Sequence, residues 1–79
     1  MKAFKKQLES GSWNYHLIIN DELFYSFYKS EFQTGHSIDT FRNFTDEYRQ
    51  ENGYVECPVQ EAVKILKQAI TTINKNIKL

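Results

Sequence analysis

The chain has 79 residues, 41% of them hydrophobic, and ten basic side chains balance ten acidic ones. A single domain spanning residues 1–79 is expected, able to bury only about 60–65% of its unfolded surface and so of modest stability. With one cysteine, Cys57, and two histidines, the chain cannot form an internal disulfide and is poorly supplied for a zinc site, so neither a metal nor a cofactor is expected.

No stretch approaches the ~20 apolar residues of a membrane span, and the basic start Met1-Lys2-Ala3-Phe4-Lys5-Lys6 has no apolar run behind it. A reducing, cytoplasmic setting without membrane contact is therefore the expectation.

In chain order, Phe4 and Leu8 lie one helical turn apart, and Ser10-Gly11 offers a left-handed helix end, so a short N-terminal helix is predicted over residues 2–9. Six of the twelve aromatic residues then fall between Trp13 and Tyr28. Their β-favouring character, with Asn20-Asp21 as a two-residue turn, predicts a β-hairpin. Trp13, Tyr15, Leu17 and Ile19 occupy one face of its first strand, and Asn14, His16 and Ile18 the other. In the second strand, Phe24 and Tyr28 point opposite to Tyr25 and Phe27, so large rings face both ways. A sheet with one solvated face would alternate apolar and polar residues instead. Three arrangements could satisfy this strand: helices of the chain cover both faces, a second copy covers one in a homodimer, or one face binds a partner through Trp13, Tyr15, Tyr25, Phe27 and Tyr28.

Residues 29–36 are read as a loop. Ser37 is an apt N-cap, Asp39 suits a first turn, and Ile38, Phe41, Phe44 and Tyr48 recur at helical spacing until Asn52-Gly53, which predicts an amphipathic helix. Tyr54-Val55-Glu56 could add a short extended piece. Pro58 suits the first position of a last helix, whose apolar stripe runs through Val59, Ala62, Val63, Leu66, Ala69, Ile70, Ile73 and Ile77 almost to Leu79. The expected fold is α+β: a small antiparallel β-hairpin or three-stranded sheet packed against two amphipathic helices, with a short N-terminal helix.

The zero net charge conceals segregation. Residues 1–8 carry three lysines and no acid, residues 9–61 carry ten acids against Lys29, Arg42 and Arg49, and residues 62–79 carry four lysines and no acid. Lys64, Lys67, Lys75 and Lys78 fall on one side of the last helix, away from its apolar stripe. They form either a solvated face or an electrostatic contact for phosphates or an acidic protein.

Residues with chemical potential are sparse. His36, Ser37 and Asp39 supply triad residue types, but contiguous residues seldom reach triad geometry. His16, amid strand aromatics, is read as a packing residue. Cys57 precedes a helix start, where a thiol can be activated, yet no cation or histidine adjoins it in sequence. The expectation is a non-catalytic module binding another protein, a small regulator or inhibitor of the kind that phages and mobile elements encode. The alternative is a nucleic-acid-binding module using the C-terminal lysines and hairpin aromatics, although two arginines and no net positive charge argue against it.

Overall fold

The computed structural model describes residues 1–20, 23–29, 34–40 and 45–76. Strands β1 (Lys2–Gln7), β2 (Trp13–Ile18), β3 (Leu23–Lys29) and β4 (Thr34–Thr40) are followed by helix α1 (Asp46–Glu51), strand β5 (Val55–Cys57) and helix α2 (Val59–Asn76). The strands form one antiparallel sheet in the order β4-β3-β2-β1-β5. The α+β class and the terminal helix agree with the sequence reading; the rest of the architecture departs from it at three places.

First, the N-terminal segment is a strand, not a helix. Adjacent residues Ala3 and Phe4 are both fully buried. In a pleated strand they point to opposite faces, so β1 is covered on both sides as well as paired with β2 and β5. These non-local contacts outweigh the helical preference of its lysines, alanine and glutamine. Gly11 does adopt the left-handed conformation expected of it (φ 88°), but in a hairpin turn closed by the Leu8 N–H donating to the Ser12 carbonyl at 2.7 Å.

Second, the segment predicted as one amphipathic helix from Ser37 divides into a strand and a helix. Ser37 and Asp39 lie in β4, which pairs along its length with β3, and residues 34–36 of the expected loop belong to the same strand. Phe41 and Phe44 lie outside the described residues. The actual helix start is Thr45, whose Oγ1 accepts the Tyr48 N–H at 3.1 Å, with Asp46 and Glu47 in the first turn. Its end falls at Asn52-Gly53, as the sequence suggested. Gly53 has φ 89°, the Tyr54 N–H donates to the Arg49 carbonyl (2.9 Å) and the Gly53 N–H to that of Gln50 (3.2 Å), which is a Schellman motif. The helical spacing placed Tyr48 inward; in the structure Tyr48 is half exposed and Arg49 is buried.

Third, the described residues form a sheet of five strands, not two or three. The extended piece after Tyr54 is a strand, but Val55–Cys57 pairs with β1, which is itself outside the predicted sheet. The predicted hairpin is present as β2 and β3, with its turn one residue longer than the two-residue Asn20-Asp21 link. Ile19 donates to the Leu23 carbonyl (2.9 Å), the Asn20 Oδ1 accepts the Leu23 N–H (3.0 Å), and Ile18 stands opposite Phe24. Asp21 and Glu22 lie outside the described residues. The extra residue matters because a shift of one in register reverses which side chains share a face. It pairs Tyr15 with Phe27 and Leu17 with Tyr25 on one face, and His16 with Ser26 on the other.

Both faces are then covered by this chain. On one, Ala3, Tyr15, Leu17, Phe27 and Cys57 pack with Ala62 of α2 into a continuous cluster, flanked by Ile19, Tyr25, Val59, Val63, Ile65 and Leu66. On the other, Phe4, His16 and Phe24 meet Arg49 of α1. The chain therefore leaves the sheet at its β4 edge, crosses one face through α1, enters the opposite edge as β5, and recrosses the other face through α2, which contacts β1 to β4. Pro58 sits just before α2, its carbonyl accepting the N–H of Glu61 (3.1 Å) and of Ala62 (3.4 Å).

Candidate functional site

Arg49 is the most unusual side chain in the described structure, 2% exposed on a helix with no other buried residue. An arginine is rarely buried without partners, because removing its charge from water is costly. Here its guanidinium carbon lies 4.7 Å from the Phe24 ring centroid and 5.7 Å from that of Phe4, an arrangement that lets aromatic faces replace part of the lost hydration. Arg49 Nε donates to His16 Nδ1 at 3.1 Å, and an Asp46 carboxylate oxygen stands 3.8 Å from Nη1. The His16 ring is stacked on Tyr54 at 4.4 Å and tilted against Phe24 at 4.8 Å.

Accepting at Nδ1 requires a neutral imidazole with its hydrogen on Nε2. Burial, together with the neighbouring guanidinium, lowers the His16 pKa to about 4. The packing role read from the sequence for His16 is what the geometry gives, and a histidine held in this way is committed to its arginine at neutral pH. The pairing with Arg49 was not legible. Nothing in the spacing of α1 distinguishes Arg49 from a solvated helix arginine, and only the crossing of the sheet by α1 brings it to His16.

A second polar cluster lies on the α2 side. Glu61 Oε2 accepts from Lys5 Nζ (2.9 Å) and from the Tyr15 hydroxyl (3.0 Å), while Lys5 Nζ stands 5.0 Å over the Trp13 ring. Burial and the hydrogen bond to Glu61 push the Tyr15 hydroxyl up to about 12. Hydrogen bonds from Lys5 and Tyr15 hold Glu61 below the usual carboxylate range. Cys57 is buried beside this cluster, and desolvation raises its thiol pKa, the opposite of what a nucleophile needs.

The five aromatic residues assigned to partner binding do not share one surface. Tyr15 and Phe27 stack in the core under α2 with centroids 5.7 Å apart, and Tyr25 packs against the same core. Tyr28 is half-buried on the other face, and Trp13 remains partly open beside Lys5. The lysine row fares differently. Lys64, Lys67 and Lys75 are exposed on α2, and Lys78 lies outside the described residues. Lys64 and Lys67, with Gln68, Thr71 and Thr72, line a groove open to solvent. His36, Ser37 and Asp39 occupy neighbouring positions of an extended strand, not the helix cap considered for them.

Among the described residues no group of three histidine, cysteine or acidic side chains is placed to hold a metal ion, and no helix is long and apolar enough to cross a membrane. Comparison of the chain with protein-family models, with curated proteins and with solved structures gives no significant match.

Proposed function

We propose that the protein is a small, non-catalytic protein-binding module, a regulator or inhibitor of another macromolecule, and that it engages its partner through the outer face of α2. The observation that supports this reading is how the fold uses its charges. Lys2 is paired with Asp46 at 2.8 Å and Lys5 with Glu61 at 2.9 Å. Lys64, Lys67 and Lys75 are exposed and have no carboxylate within ion-pair distance among the described residues. Cations that folding leaves unpaired on one helix face create a local field that attracts an oppositely charged surface. The side chains with chemical potential, in contrast, are engaged in packing: His16 by Arg49, Tyr15 by Glu61, and Cys57 by the core.

The test is capture of partners from the native host by tagged protein, in parallel with a Lys64→Glu, Lys67→Glu, Lys75→Glu variant. The expected result is one protein, recovered stoichiometrically with the parent chain, identified by mass spectrometry and missing from the variant. Nucleic acid recovered in its place, or a protein retained equally by the variant, would overturn the reading.

A further inference from the structure

We propose that the groove on the outer side of α2 receives an extended, acidic polypeptide segment of the partner, an inference that rests on the reading of α2 as the contact face. Charge sets the first requirement. Between Ala62 and Asn76 the helix carries lysines and no acid, so a segment lying along it meets only cations. Lys64 and Lys75 are eleven positions apart, about 16 Å along the helix axis. That matches about five residues of extended chain.

The threonines set the second requirement and favour a polypeptide backbone over a sugar-phosphate backbone. Thr71 Oγ1 donates its proton to the Lys67 carbonyl (2.9 Å), and Thr72 Oγ1 donates to that of Gln68 (3.0 Å). With their hydrogens committed to the helix, both hydroxyls offer lone pairs to the groove. A ligand satisfying the whole surface must therefore bring anionic groups for the lysines and hydrogen-bond donors for the threonines. Acidic side chains on an amide backbone supply both, whereas a DNA sugar-phosphate backbone presents oxygen acceptors and no N–H. The remainder of the molecule points the same way. Residues 9–61 carry an excess of acid, which disfavours a long polyanion whose charge extends beyond one helix, while a short acidic segment is confined to the lysines.

The experiment compares fluorescence anisotropy of a labelled octaglutamate peptide with that of a labelled octathymidylate of similar charge, at about 50 mM salt to limit screening. The expected result is that the peptide binds at least about tenfold more tightly than the oligonucleotide and that Lys64→Glu with Lys67→Glu abolishes binding. Thr71→Val, at an exposed position, should weaken the peptide about threefold or more and leave the oligonucleotide unchanged. Circular dichroism of each variant verifies that the fold is retained. Equal or tighter binding of the oligonucleotide, or peptide binding indifferent to the lysines, would overturn the inference. Absence of peptide binding while partner capture still depends on the lysines would overturn the acidic segment alone; loss of both would remove α2 as the contact surface.

Discussion

Arg49 shows how one residue can fix an element. The helix that carries it is six residues long with no other buried side chain, too short to be stable by itself. The guanidinium anchors it by filling the space between Phe4 and Phe24 and donating to His16. Arg49→Ala should cost about 2–4 kcal/mol in urea unfolding, since it removes that packing and leaves His16 Nδ1 without this donor. A loss below about 0.5 kcal/mol would mean that the side chain is not the anchor. The same contact predicts acid sensitivity. With a folded pKa of about 4 against 6.5 in the unfolded chain, His16 binds more protons when unfolded throughout that interval. Its contribution is complete above about pH 6.5 and is lost as pH falls towards 4, by roughly 3 kcal/mol in total. Urea midpoints measured from pH 7 down to 4 should therefore fall more steeply for the parent than for His16→Gln, which keeps an acceptor but cannot titrate; parallel curves would dispose of the idea.

At the scale of elements, the contrast between β1 and α2 is instructive. The periodicity of α2 is legible because its stripe repeats over five turns and faces a single sheet. Even there the structure refines the contact. Ala62 and Ala69 are fully buried, whereas Leu66 and Ile73 are half-buried beside them, so small residues set the approach of the helix to the sheet. Ala69→Leu should consequently destabilise by about 1–3 kcal/mol through overpacking, as measured by the shift in urea midpoint; a gain in stability would mean that the helix stands off the sheet. β1 offers no such repeat, because two adjacent buried residues serve two different faces. The end of α1 is a local matter, and its signal was readable. Gly53 is left-handed, and an added Cβ would stand 3.4 Å from the Lys6 side chain. Gly53→Ala should cost about 1–2 kcal/mol in thermal or urea unfolding.

For the whole molecule, the wrapped path sets the α2 lysines on one side of the sheet, while on the other Lys2 pairs with Asp46 and Lys6 lies over Tyr54, among the acids of α1 and β5. Exposed Glu47 and Glu51 on α1 and Glu56 on β5 lie on the Arg49 side, and Lys64, Lys67 and Lys75 lie on the outer side of α2. Under the proposed reading, the cations on the outer side of α2 are a patch confined to one helix of a neutral chain, which suits selective contact rather than general polyanion binding. Titration with single-stranded and duplex oligonucleotides at about 100 mM salt should show nothing tighter than the nonspecific range of about 10⁻⁴ to 10⁻⁶ M. Sub-micromolar binding that disappears on reversal of the lysines would establish the nucleic-acid reading instead. The wrapped path also changes what the hairpin residues can do. Phe27 is 1% exposed, so Phe27→Ala, at a position the sequence reading offered to a partner, should cost about 3–5 kcal/mol in urea unfolding.

Legible in the residues alone are the features whose physics is local: the α+β class, the β2–β3 hairpin from its aromatic content, the helix end at Asn52-Gly53, the long amphipathic α2 and the lysines on its outer side. Packing settled what depends on distant partners. It made Lys2–Gln7 a strand by pairing it on both edges, divided the segment after Ser37 between β4 and α1, and set the hairpin register through one additional turn residue. It also answered why rings point both ways from β3, since Phe24 and Phe27 are buried under different helices. Arg49 belongs wholly to that second category: its chemistry is that of any helix arginine until the chain crosses the sheet and sets it against His16.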